Sequence, residues 1–297
     1  MAQTTSANVI NPDVWADMMQ AEFVGRTILG QEGQFAVIDD TLEGQPGERV
    51  STPKWLALGG SDELDDLTET GVIVPDVLDT DTDTGPIIKE AGKGAEVTDR
   101  AMLVGVGDPL AEVRRQFGIQ TVRKVDGDLR AAAEAAGALT YDHTAQTTDA
   151  IDNAGKFGAG AIANALAKFG EDADPQDMAG FVIHSTQRSA MFRTDEFISA
   201  DKYGAGQVLV RGEIGNVYGV PIIVSDRTTV VADGGGVGVD WYKSLLVKKG
   251  ALVLYYKRRP LVETDRDILA RSTVVTTNVH YAAGRLKDDG VVVVTTK

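Results

Sequence analysis

Apolar positions recur at helical spacing most clearly between Asp108 and Leu139. Asp108-Pro109 supplies an N-cap and a proline for the first helical position. Leu110, Val113 and Phe117 mark one apolar stripe, and Val122, Val125, Leu129, Ala132 and Ala136 mark the next. The phase slips at Gly118, where a kink or a change of face is expected, and Gly137 fits the helix end. About 30 residues at 1.5 Å each predict a rod of ~45 Å, long enough to cross a domain. Helices are also predicted over Asp13–Phe23, where Val14, Met18 and Ala21, and Trp15, Met19 and Phe23, share faces, and over Thr148–Phe169, which carries Gly155, Gly158 and Gly160.

Elsewhere the pattern is extended. Phe35–Leu42 and Arg49–Leu58 read as strands around the turn Gly44-Gln45-Pro46-Gly47, and Pro53 marks the second as an edge. Val77–Ile88 is extended and Ala91–Val97 continues it. This hairpin-rich block has too few large apolar residues to stand alone, so it must lie on something else. Ala179–His184 reads as a short buried strand, Ser185–Phe192 as a helix or turn, and Ile214–Ser225 as strand–turn–strand. Leu245–Val247, Ala251–Tyr256, Ser272–Ala282 and Val291–Thr296 are strands of a C-terminal sheet, the natural partner of the long helix. No repeat of about 20–50 residues is visible.

Composition narrows the function. The 297 residues are 43% hydrophobic and 25% charged, the balance of a globular chain of one large or two ordinary domains. There is no Cys and only His143, His184 and His280, so thiolate metal sites, disulfides and cysteine nucleophiles are excluded, and no metal or cofactor site is expected. The opening residues show no secretory signal and no apolar run reaches membrane-spanning length, so a soluble intracellular chain is expected. The net charge of −15 disfavours a protein whose main task is gripping nucleic acid. That charge is unevenly spread. Phe35–Ala95 carries 14 acids against Arg49, Lys54, Lys89 and Lys93, a net −10. Tyr242–Lys287 carries ten Lys or Arg against Glu263, Asp265 and Asp267, a net +7. Such complementary segments can be two solvated faces, or can steer one copy onto another.

Motifs for chemistry are few. Gly158-Ala159-Gly160-Ala161-Ile162-Ala163 matches a loose dinucleotide fingerprint, but helix rather than strand is predicted before it, which favours helix packing on small residues. Asp79, Asp81, Asp83 and Glu90 fall at positions 1, 3, 5 and 12 of a calcium loop, with Thr84 where that loop needs glycine. The alternation of Asp and Thr favours a strand instead. His184, Ser185 and Asp226 lack the glycine elbow of a nucleophile. Trp15, Trp55 and Trp241 are too far apart in sequence to read as one stacking platform. No catalytic residue and no reaction are legible.

Several segments resemble one family in the order that family requires. Met1-Ala2-Gln3-Thr4-Thr5-Ser6-Ala7-Asn8-Val9-Ile10-Asn11-Pro12-Asp13-Val14-Trp15 looks like the opening of tailed-bacteriophage major capsid proteins of the Hong Kong 97 fold, in the branch named after the phage N-four coat protein. Gly44–Val50 with Pro53-Lys54, and Lys89–Asp99, resemble the two legs of that family's extended loop. Lys124-Val125-Asp126-Gly127-Asp128-Leu129 is similar to its spine helix, and Gly180–His184 and Tyr218–Asp226 to its axial domain. Asp62–Asp66 and Asp79–Asp83 are more acidic than the pattern. The resemblance implies an α+β fold with residues 1–34 as N-terminal arm, 35–95 as extended loop, 96–140 and 245–297 as peripheral domain, and 141–244 as axial domain. It also implies a virion shell protein, not an enzyme, assembled in the host cytoplasm as hexamers and pentamers. Such a shell encloses double-stranded DNA without sequence-specific binding, works with portal and with scaffold or decoration proteins, and involves no membrane.

On this view Trp15, Phe23, Phe35, Trp55 and Leu56 find cover only on neighbouring copies, and Lys248, Lys249, Lys257, Arg258 and Arg259 neutralise a neighbour's acidic loop. Deleting Thr41–Lys89 should leave a folded subunit that forms no stable shell. Two rivals stay open: an encapsulin-like non-viral compartment protein and a soluble α+β enzyme. Cargo distinguishes the first and turnover the second.

Overall fold

The computed structural model describes residues 28–30, 33–44, 46–56, 58, 75–83, 85–104, 108–145, 155–191 and 216–297. The predicted helix Asp13–Phe23 lies outside these residues. The long helix spans Pro109–Ala133, and the Asp108 carboxylate accepts the N–H groups of Leu110 and Ala111 at 3.0 and 3.3 Å. It runs unbroken through Gly118 and buries Phe117, Thr121, Val122, Val125, Asp126, Leu129 and Ala133 along one stripe. It stops short of Leu139 because Arg285 collects the carbonyls that the next turn would have used, those of Ala133, Ala135 and Ala136. Gly137 then turns the chain at φ +98.

The strands in chain order are β1 (Ala36–Asp39), β2 (Thr52–Trp55), β3 (Thr80–Asp83), β4 (Lys89–Thr98), β5 (Leu139–Asp142), β6 (Met178–Ile183), β7 (Asn216–Val217), β8 (Val220–Val224), β9 (Val230–Val231), β10 (Trp241–Lys248), β11 (Leu252–Asp267), β12 (Ser272–Arg285) and β13 (Val291–Thr296). One sheet has the order β1-β11-β12-β4, with β1 parallel to β11 and the other pairs antiparallel. A second has the order β5-β13-β10-β6-β8-β7, with β9 beside β10. Among the described residues, β2 and β3 pair only with each other.

Two expectations change. The predicted C-terminal sheet is split: β11 and β12 belong to the first sheet, β10 and β13 to the second. The reason is that β10 and β13 bury both faces. Leu245, Val247, Val291 and Val293 pack toward the long helix, while Leu246, Val292 and Val294 pack toward Phe157, Ile162 and Phe181. The segment boundaries at 140/141 and 244/245 fall inside β5 and β10. The second predicted helix shrinks to Ala159–Ala167, capped at Gly158, after a turn in which Gly155 takes φ +75. Residues 148–154 of that expectation lie outside the described part.

β11 extends past its apolar run, and Pro260 sits where its register with β12 shifts between Arg258 and Leu261. Tyr218 and Gly219, both at positive φ, form the tight turn of the β7–β8 hairpin. Among the described residues, no helix is long and apolar enough to cross a membrane.

Candidate assembly surfaces

The acidic loop is rooted in the first sheet. β4 pairs with β12 along its whole length, from Lys89 opposite Tyr281 to Thr98 opposite Ser272. Val50, with Leu42, Ile88 and Leu286, covers Val253, Tyr255 and Ala282 on the sheet's outer face. The legs are stitched by Val50 N–H to Pro86 O at 3.1 Å and Ile88 N–H to Glu48 O at 2.8 Å.

Beyond that root, β2 and β3 form a two-stranded hairpin. Trp55 is 72% exposed and Val77 84%, and Leu56, Leu58 and Leu78 are exposed too. A two-stranded ribbon is marginal by itself, and a cluster of exposed large apolar groups marks an interaction surface. The Asp-Thr alternation continues through strand β3, as expected of an extended segment, and Glu90 lies in β4.

The candidate contact residues divide. Trp55 and Leu56 are uncovered. Phe35 is 0% exposed, packed in the chain's own core against Gly180, where a Cβ would stand 3.1 Å from the Phe35 ring. The expectation that Phe35 needs a neighbour is therefore corrected: the missing side chain at 180 makes its room. Trp15 and Phe23 lie outside the described residues.

The five cations all have partners in their own chain. Arg259 pairs with Asp40, and Lys257 Nζ donates to Gly47 O at 2.5 Å, both at the acidic loop's root. Lys249 Nζ donates to Gln176 O at 2.7 Å, Lys248 stands 4.5 Å from the Phe169 ring centroid, and Arg258 approaches Glu263 at 3.8 Å. Complementary charge thus acts, at Arg259, within one copy.

Sequence reasoning passed over two carboxylates on the long helix. Asp126 is 5% exposed and accepts Ile28 N–H at 3.1 Å and Gly30 N–H at 3.4 Å, with Arg227 at 3.6 Å. It pins the incoming N-terminal segment to the helix. Burial pushes its pKa up, against the pull of the backbone N–H groups and Arg227. Asp128 accepts the Tyr281 hydroxyl at 2.5 Å and lies 3.4 Å from Lys89 and 3.3 Å from Lys124. Burial raises its pKa, but Tyr281, Lys89 and Lys124 outweigh burial and hold it below the ordinary value. Helix, body sheet and loop root meet at this carboxylate. The readable signal was an Asp set among Val122, Val125 and Leu129 on the buried stripe.

The weak chemical motifs are absorbed by packing. Ala159, Ala161 and Ile162 of the glycine-rich match are buried, the last two in one core cluster with Phe157 and Phe181. His184 closes β6, with Nδ1 2.8 Å from Thr186 Oγ1 and its ring 5.1 Å from that of Tyr242, while Ser185 begins a short helix. Trp241 packs on Gly234 and Gly235, where any Cβ would stand within 3.0 Å of the indole.

The long helix laid over a four-stranded sheet, the projecting hairpin and the second mixed sheet make up a fold of the Hong Kong 97 type, shared with solved phage capsids. The capsid of Ralstonia phage GP4 superposes with a TM-score of 0.64 at 15% identity, covering 90% of this chain and 88% of that one. The capsid of Cyanophage P-SCSP1u does so with a TM-score of 0.67 at 13% identity, covering 99% and 92%. The model of the phage capsid protein family matches residues 81–294, and the major capsid protein of Staphylococcus phage phiMR11 is 31% identical over 283 residues, 94% of this chain and 91% of the relative. The chain belongs to the phage capsid protein family.

Proposed function

We propose that this chain is the major capsid protein of a tailed phage and assembles in the host cytoplasm into an icosahedral head around double-stranded DNA. The observation that carries the reading is the exposed hairpin: Trp55, Leu56, Val77 and Leu78 lack cover within the copy that bears them. The 31% identity to a protein named major capsid protein supports the same role. A shell subunit resolves the exposure, because each copy's hairpin finds cover on the next and several modest contacts reinforce one another. The reading assigns the long helix and four-stranded sheet to the peripheral domain, the second sheet to the axial domain, and hexamers and pentamers to the tiling. Portal, scaffold and decoration proteins would be the further partners. The net charge of −15 suits a wall that must not hold DNA tightly. No step of this role calls for a reaction or cofactor.

The test is expression of the chain with and without its phage background, followed by negative-stain microscopy and measurement of enclosed nucleic acid. Closed shells that fill with DNA in the phage background are expected. A small monodisperse species at every concentration would defeat the reading, and shells that take up only protein cargo would favour a non-viral compartment.

A further inference from the structure

We propose that the helix-covered side of the first sheet carries a binding site for the phosphodiester backbone of the enclosed DNA, an inference that rests on the shell reading above. The sheet sorts its charge by face. Along β4 burial alternates, with Ala91, Ala95 and Val97 turned toward the long helix. Lys89 and Lys93 share that side, and Lys89 reaches Asp128 of the helix at 3.4 Å. Glu90 and Glu96 take positions between them and face the other way. Register extends the sorting across the sheet. Asp265 lies in one row with Val274 and Glu96, and Glu263 in one row with Thr276 and Gly94, so both acids share the face of Glu90 and Glu96.

On the helix side the bases gather at one crevice. It lies between the long helix and β4, encloses about 380 Å³, and has Lys93 and Lys124 in its wall. Arg123 stands next to Lys124 on the helix, and Lys89, Lys93, Arg123 and Lys124 are all exposed. Asp128 is shared by Lys89 and Lys124 at 3.4 and 3.3 Å. Among the described residues, Lys93 and Arg123 have no ion pair. The bases therefore outnumber the carboxylate they surround, in a chain whose net charge is −15.

A polyanion fits such a surplus. Lys89 and Lys93 lie on one extended strand, ~13 Å apart at about 3.3 Å per residue. Each strand of duplex DNA carries a phosphate for every ~3.4 Å of axis, so one backbone passing the crevice meets both lysines and the two helix bases. Contacts of this kind act on phosphate charge and read no base, as a wall that lines any sequence requires. On the opposite face Glu90, Glu96, Glu263 and Asp265 repel the same polymer. One side of the sheet thus accepts DNA and the other rejects it, and the helix side turns to the interior. A few such contacts in an otherwise acidic chain hold the outermost duplex weakly enough for it to leave.

The absence of cysteine makes a clean test possible. Gln116→Cys on the exposed side of the long helix and Glu263→Cys on the acidic face are each labelled with an aryl azide in DNA-filled heads. The heads are irradiated and trimmed with nuclease, and the coat protein that keeps nucleotide is counted on a denaturing gel. At least ten-fold more adduct is expected from position 116 than from 263, and it should yield to DNase and not to RNase. Adding Lys93→Gln, Arg123→Gln and Lys124→Gln should cut the adduct at 116 at least five-fold in heads of equal DNA content. If that variant yields no heads, Lys93→Gln alone should cut the adduct and Lys93→Arg should keep it. Equal adduct from the two faces, an adduct that ignores the neutralised bases, or a crosslink from 116 to a second copy in place of DNA overturns the site and leaves the shell reading standing. Failure of the wild-type chain to form shells sinks the shell reading and the site with it.

Discussion

Gly85 lies so close to the Val50 carbonyl that a Cβ built on it would stand 2.0 Å from that oxygen. The obstacle is backbone, which cannot swing aside as a side-chain end can. Here the two legs of the hairpin run side by side as they leave the body. Gly85→Ala must push them apart while leaving both sheets and the long helix untouched. A normal circular dichroism spectrum and near-normal thermal midpoint are expected, with loss of shells by microscopy. Wild-type particle yield would show that this close approach does not aim the hairpin.

The structure redraws the deletion suggested by the sequence. Removing Thr41–Lys89 takes Val50 and Ile88 off Val253, Tyr255 and Ala282, and takes Lys89 from Asp128. That variant should unfold at lower urea than the full chain, because a buried apolar face is stripped. Excising Thr52–Asp83 behind a short glycine bridge removes strands that pair only with each other. It should keep the urea midpoint and still form no shells. Urea titrations of the two side by side check the difference.

Tyr281→Phe removes the hydroxyl that Asp128 accepts at 2.5 Å, at a tyrosine 0% exposed. A hydrogen bond to a charged group at such a site contributes roughly 1.5–3 kcal/mol, and the loss should appear in chemical denaturation at neutral pH. The Asp128 pKa is lowered in the fold, so its contribution is present above the unfolded carboxyl pKa and is lost as pH falls through the lowered folded value. The difference between Tyr281→Phe and wild type should therefore shrink in strong acid.

Asp126 has the opposite sign. Its folded pKa lies above the ordinary 3.8, so its stabilising contribution is full below the unfolded pKa and declines as pH rises through the folded one. Asp126→Asn loses some affinity for the Ile28 and Gly30 N–H groups but has no such decline. The stability of Asp126→Asn relative to wild type should therefore rise from about pH 4 to 7. A flat or falling difference, from denaturation curves across that range, would contradict it.

What the sequence could show follows from how local each signal is. The start of the long helix was legible because Asp108, Pro109 and the stripe through Leu129 all act within a few turns. Its end was not, because Arg285, about 150 residues away in sequence, caps the carbonyls. Strandedness was legible for Ala36–Asp39 and Val291–Thr296, but their partners were not. A β-branched run states that it belongs in a sheet and not in which one. Residues 257–267 of β11 were hidden by charge, since Lys257, Arg258 and Glu263 mask the alternation that buries Val262. At the assembly surface, the exposure of Trp55 was readable from a hairpin with no core. The burial of Phe35 was not, since it depends on the missing Cβ of Gly180.

Because the leg that carries the Ile87 bridge enters the four-stranded sheet at Lys89 as β4, the sheet's twist and the hairpin's bearing are geared together. From the Arg49–Ile87 bridge to Leu56 the leg runs seven residues, or some 23 Å at about 3.3 Å each. A ten-degree change of twist at the root would sweep that end through roughly 4 Å, about one strand spacing. The curvature of the body sheet is thus a pointer: a small distortion there redirects where the far end of each copy lands.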